Sequence, residues 1–186
     1  MKLARMVSVF FVMFSVAACS AVYIEEPIGT EVVQVEEDDW EGIWVVDGEP
    51  LIVGVRDRDA GILWVAGVEE REGEPTLKSM AVHVRRSPYL GDGQFLISME
   101  DDDRYVWFLA IETEDEDSLV VYAPNAARFR ALIEEGKLPG PAVEGKSGGD
   151  VYLGRLEPEH LETIFADDSG TFFVWQEPYI FRRVAR

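Results

Sequence analysis

From Trp40 onward the chain is cut into short runs rich in Val, Ile, Trp, Tyr and Phe, each ended by Gly, Asp or Pro at hairpin spacing. That punctuation limits the fold more than any other feature, because it leaves room for strands and few long helices. Trp40 to Val46 leads into Asp47-Gly48, a dipeptide suited to the positive φ angles of a type I′ turn, and Leu51 to Arg56 returns as its partner. Arg58-Asp59-Ala60-Gly61 turns the chain before Ile62 to Val68, and Glu72-Gly73-Glu74-Pro75 turns it before Thr76 to Arg85. In that last run Met80, Val82 and Val84 share one face while His83 and Arg85 share the other, the alternation of a half-buried strand. Gln94 to Met99, Tyr105 to Glu112 and Leu119 to Tyr122 continue the meander, turned by Asp101-Asp102-Asp103 and by Asp115-Glu116-Asp117.

In the second of these runs Tyr105, Trp107, Leu109 and Ile111 face one way, and Val106, Phe108 and Ala110 the other. A strand apolar on both faces needs a second layer over it. Asn125 is placed to cap a helix carrying Phe129, Leu132 and Ile133 on one face and stopped by Gly136. Pro158 opens a second short helix with Leu161, Ile164 and Phe165 facing inward. Lys137 to Asp150 reads as a long surface loop and Val151 to Leu156 as a strand. Thr171 to Trp175 and Tyr179 to Val184 form a last run that Pro178 interrupts, as at an edge or bend. The expected fold is mainly β with two short helices (β-rich α+β), an antiparallel meander or partly closed barrel of about eight to nine strands.

Before this domain stand Lys2 and Arg5, an apolar run from Met6 to Ala18, and Cys19, the only cysteine. A charged start, a short apolar segment and small residues before a cleavage point make an export signal. Thirteen residues at helical rise reach ~20 Å, short of the ~30 Å of a bilayer core, so a membrane-spanning helix fits poorly. An ordinary secretory signal cut after Ala18 or Ala21 is the remaining alternative. Val16-Ala17-Ala18-Cys19 resembles the lipobox of bacterial lipoproteins. The resemblance implies cleavage between Ala18 and Cys19 and acyl chains on Cys19. Ser20 in the next position is similar to the outer-membrane sorting pattern of Gram-negative lipoproteins, which implies anchorage at the periplasmic face of that membrane. The chain is also broadly similar to small proteobacterial lipoproteins of uncharacterised activity with a short β domain.

Ala21 to Asp39 holds five Glu, two Asp, one Pro and one Gly with no strong periodicity, and reads as a flexible acidic tether. The domain plan is therefore a signal over 1–18, a lipidated N-terminus and tether over 19–39, and one domain over 40–186, near the modal domain size. The chain has 17 basic and 36 acidic residues, and loss of Lys2 and Arg5 leaves a net charge of −21. Such a field repels phosphate backbones and anionic head groups, which argues against nucleic acid as a partner. With one cysteine no disulfide can form within the fold, so a packed core must hold it.

Chemical motifs are sparse. Asp57-x-Asp59-x-Gly61 has the alternating carboxylates of a calcium loop, but the glycine comes one place early and Val68 stands where the closing Glu belongs. The two acidic triplets bracket one extended strand and lie about 35 Å apart, too far for a shared ion. His83 and His160 have no histidine or cysteine near them in sequence. There is no Gly-x-Ser-x-Gly elbow, phosphate loop or dinucleotide fingerprint. The expectation is no catalytic residue, no metal and no cofactor.

Gly42-Ile43-Trp44 resembles the Gly-x-Trp signature of lipocalins. That family implies an eight-stranded cup for apolar ligands, its base closed by the tryptophan against an arginine of the last strand, here Arg182 or Arg183. The chain departs from the family in lacking its second motif between the sixth and seventh strands, and in the helices and long loop that interrupt the later strands. Trp44, Trp64, Trp107, Phe108 and Trp175 are then candidate ligand-lining residues, and otherwise core aromatics. The functional expectation is an envelope lipoprotein acting as a non-enzymatic interaction or structural module, bound to membrane lipid through Cys19 and to another envelope protein. A lipocalin-like binder of a small apolar ligand is the alternative. A carboxylate-dependent hydrolase is the third, and requires two carboxyl groups in a cleft with their pKa values pushed apart.

Overall fold

The computed structural model describes residues 20–71, 74–115, 117–141, 149–165 and 171–186. The signal, Cys19, the turn at Glu72-Gly73 and much of the loop after Lys137 lie outside the described residues. In chain order the elements are β1 (Val22–Ile24), β2 (Glu31–Val32), α1 (Glu37–Trp40), β3 (Gly42–Val46), β4 (Glu49–Asp57), β5 (Ile62–Arg71), β6 (Glu74–Arg86) and β7 (Gln94–Asp101). They continue as β8 (Arg104–Glu112), β9 (Ser118–Tyr122), α2 (Ala126–Glu134), β10 (Val151–Tyr152), α3 (Pro158–Phe165) and β11 (Tyr179–Ala185).

Strands β3 to β9 pair antiparallel, each with the next. β11 then pairs with both β9 and β3, with Ile180 opposite Val120 and Arg183 opposite Trp44. The meander is thus a closed eight-stranded barrel, in which the first and last strands have no free edge. Asp47 at φ 51° and Gly48 at φ 88° make the two-residue turn between β3 and β4.

Alternation along the strands separates two cores. Trp44, Leu63, Val82, Phe95, Phe108, Ala110, Leu119 and Val121 point into the barrel, while Leu96, Trp107 and Leu109 point outward under the helices. Both faces of β8 are therefore covered, as its sequence requires. Asn125 Oδ1 accepts from the Arg128 amide at 3.4 Å and starts α2. Gly136 at φ 71° ends it, with its own amide on the Ile133 carbonyl and the Lys137 amide on the Leu132 carbonyl, a Schellman closure. Phe129, Leu132 and Ile133 bury the inner face of α2, and Leu161 and Ile164 that of α3.

Residues 21–39 are not a flexible tether. Val22, Ile24, Ile28 and Val35 are buried, and the segment is tied down along its length. β1 pairs antiparallel with β8 and parallel with β10. The Ile28 amide donates to Ser98 Oγ at 3.1 Å, β2 pairs with β6, and the Val35 amide donates to the Arg58 carbonyl at 3.2 Å. The acidic residues hid this, because the apolar ones between them are used one at a time by different neighbours and follow no single period. Among the described residues the fold is already in place at Ala21, well ahead of Trp40.

Three smaller differences follow. The structure adds a third helix, the single turn α1. Thr171 to Trp175 is not a strand, since Phe173 makes only an isolated bridge to Pro124. Val151 to Leu156 shortens to the two residues of β10.

Candidate functional site: the barrel interior

Inside the barrel lies a cavity of about 90 Å³. Its walls are the inward residues of successive strands, among them Leu51, Val65, Met80, Met99, Val121 and Phe181. Among the described residues no charged side chain lines it. An engineered apolar void of about 150 Å³ is what holds benzene, so this smaller one takes an occupant only as its walls give way. Met80 and Met99, unbranched and polarizable, are the wall residues best able to change shape around an occupant.

One end is closed by α1 and the start of β3. Trp40 is buried there against Phe95, ring centroids 5.7 Å apart and near perpendicular. Trp44 Nε1 donates to the Trp40 carbonyl at 3.0 Å, so the buried indole has its partner. Arg183 lies over the Trp44 ring at 5.5 Å. Its Nη1 donates to the carbonyls of Asp38 and Asp39 at 2.8 and 2.7 Å, and its Nε donates to Asp117 Oδ1 at 2.8 Å. This side chain, 5% exposed, thus joins β11, the turn residue just before β9, α1 and Trp44 in one contact. Of the two arginines named from the sequence, Arg183 takes this place; Arg182 is on the other face of β11.

Gly42 has a reason to be glycine. Its φ is 140°, and a Cβ there would sit 2.2 Å from the Ala185 carbonyl oxygen. β3 and β11 meet at this point with a register shift between Arg183 and Ala185, so the barrel closes only where one strand has no side chain.

Of the five candidate aromatics, Trp44 and Phe108 line the cavity. Trp107 is buried on the outside of the barrel, edge-on to Phe129 and Phe173 at 5.5 and 5.8 Å. Trp64 is 38% exposed on the outer surface, where its indole covers Gly54; a Cβ at Gly54 would fall 2.3 Å from Trp64 Nε1. Trp175 is partly exposed beside Tyr122 at 4.6 Å. Sequence reasoning overlooked Trp40, Tyr179 and Phe181, all wall residues. Tyr179 and Phe181 were legible from alternation with Arg183 once that arginine was placed inside.

Titratable groups do not converge on the cavity. Burial, reinforced by the neighbouring Asp101 carboxylate, pushes the Tyr23 phenol up to about 12. Its hydroxyl donates to Asp101 Oδ2 at 3.2 Å. A hydrogen bond from Thr113, with a further one from Ser118, holds Asp115 below the usual carboxylate range. His83 stacks edge-on against Tyr105 and meets Glu100 at 3.3 Å, and His160 Nδ1 accepts the Glu157 amide at 2.9 Å. Asp57 Oδ1 accepts the Ala60 amide at 3.0 Å in the turn where a calcium loop was weighed. Asp102 and Asp103 turn the chain into β8, while Asp115 and Asp117 lie past its other end. Among the described residues no group of three or more His, Cys, Asp or Glu is placed to hold a metal ion, and no helix is long and apolar enough to cross a membrane. Set against known protein families, curated proteins and solved structures, the chain finds no match.

Proposed function

We propose that this protein is a lipocalin-like carrier of a small apolar ligand, a single acyl or alkyl chain, held in the barrel and hung from the outer membrane by lipid on Cys19. The observation that carries the reading is the uncharged cavity inside a barrel whose base is closed by Trp44 and Arg183. A packed barrel of no further use has no need of that void, since each missing contact costs dispersion energy. The narrow bore selects a thin ligand over a ring system, and the absence of a charged wall residue leaves an ionised head group outside. Val16-Ala17-Ala18-Cys19 supports the anchor.

The full chain, extracted in mild detergent, is the right material, because β1 and β2 belong to the fold. Native mass spectrometry is expected to show an added mass that leaves on denaturation, and cis-parinaric acid to bind with energy transfer from tryptophan. Val82→Phe fills the cavity and should weaken that binding by about tenfold or more while the fold survives an overpacking cost of roughly 1–3 kcal/mol. Absence of both the added mass and probe binding to the natural chain refutes the carrier.

A second reading, docking to another envelope protein, is favoured by one observation. Ile43 and Ile52 are cross-strand neighbours on the outer surface, 41% and 48% exposed, and Trp64 on the next strand extends the patch. Crosslinking through this face to a single envelope protein, abolished by Ile52→Lys, would establish it.

A further inference from the structure

We propose that ligand reaches the barrel through its side wall, at the seam between β8 and β9, with the Phe108 ring as the gate. The proposal rests on the carrier reading and names the route that reading requires.

The seam is built by a change of partner. β9 follows β8 only as far as Tyr122 opposite Leu109, and then Ala123 and Pro124 leave the sheet toward α2. β1 takes the vacated edge after a gap of two residues, with Tyr23 opposite Val106 and Ile24 opposite Tyr105. Between these pairings, at Trp107 and Phe108, neither strand is in register with β8. A cleft of about 200 Å³ occupies this gap, lined by Ala21, Val106, Phe108, Ala123, Pro124 and Ala127 among others. Phe108 lines both the cleft and the interior cavity. The two spaces are therefore on either side of one side chain, itself 8% exposed.

The base of the barrel is sealed by α1, Trp40, Trp44 and Arg183. At the far end Val46 and Leu51 pack against Tyr179 and Phe181, but Val65 and Met80 there are only half-buried, so that end is the competing entrance, told apart from the side wall by the kinetics of a plugged cleft. The cleft by contrast is walled by short side chains, with Ser20 and Asn125 its polar members. Asn125 is already engaged, capping α2 through Oδ1 and donating through Nδ2 to the Thr171 carbonyl at 3.1 Å. Among the described residues no charged side chain lines the cleft. Ser20 stands at the cleft, so a lipid on the preceding residue would hold this side toward the bilayer. An acyl chain could then pass from lipid to barrel without crossing bulk water. A rotamer change of Phe108, stiff and two-jointed, opens or shuts the path without disturbing strand pairing.

Stopped-flow binding of cis-parinaric acid to the full chain tests this, in ~0.15 M salt so that the acidic surface is screened beyond about 8 Å. Ala127 is exposed at the rim of the cleft. Ala127→Trp is expected to slow association and release alike by about tenfold while affinity holds within about twofold, since the plug lies outside the cavity. Phe108→Ala should speed both steps. Should that variant fail to fold, Ala127→Trp alone decides the matter. Binding to the natural chain with rates that Ala127→Trp leaves within about twofold overturns the lateral port and leaves the carrier standing. No binding to the natural chain overturns the carrier, and the port with it.

Discussion

Arg183 shows how much one side chain can carry. It touches the Trp44 face, two carbonyls of α1 and the Asp117 carboxylate while almost fully buried. Removing it strands those acceptors and uncovers the indole. Arg183→Ala should cost about 2–4 kcal/mol, from hydrogen bonds of a charged group and a partly desolvated cation–π contact, read as a fall in the urea midpoint. Lysine should recover little, because a point charge cannot serve four partners on a planar fork. Tyr23 gives a test in pH. Its phenol ionises near 10 in the unfolded chain and near 12 in the fold, so the native state keeps its proton longer. Stability from this group is full below pH 10 and is lost as pH rises through 12. Burial also raises the Tyr105 phenol, so absorbance at the tyrosinate band should show more than one late-titrating phenol, of which Tyr23→Phe removes one, and the same variant should flatten the alkaline decline in stability.

At the scale of elements, the amino-terminal strap is the structural surprise. Ile24→Ala, at a side chain 1% exposed, should destabilise the whole barrel by about 2–4 kcal/mol in denaturant unfolding; a mere tether would lose nothing. Strands were legible because β-barrel walls impose a period of two, so Met80-x-Val82-x-Val84 announces its inner face. The α2 cap was legible because Asn125 and Gly136 each solve a local hydrogen-bonding problem. The strap obeys no local rule: Val22 and Ile24 serve the helix-covered core, and Val35 the barrel. Periodicity cannot reveal a segment whose residues answer to different neighbours. Gly-x-Trp was legible as a motif, yet its cause, the Ala185 carbonyl above Gly42, exists only once β11 arrives. The site was less legible than the fold. Trp64, Trp107 and Trp175 looked equivalent to Trp44 by composition, and only the parity of each strand around the closed ring separates wall from exterior.

For the whole molecule, closure of the ring joins its first and last strands: Val46 lies opposite Phe181, and Ile43 opposite Ala185. The consequence is one of timing. None of the strands β3 to β9 can complete the ring until β11 has been synthesised, and the strap adds further distant pairings from β1 to β8 and β10. Closing loops that long is paid in chain entropy before any contact repays it. Folding should therefore be slow and late, with β3 and β9 waiting as open edges for a single strand, β11, that reaches both at once.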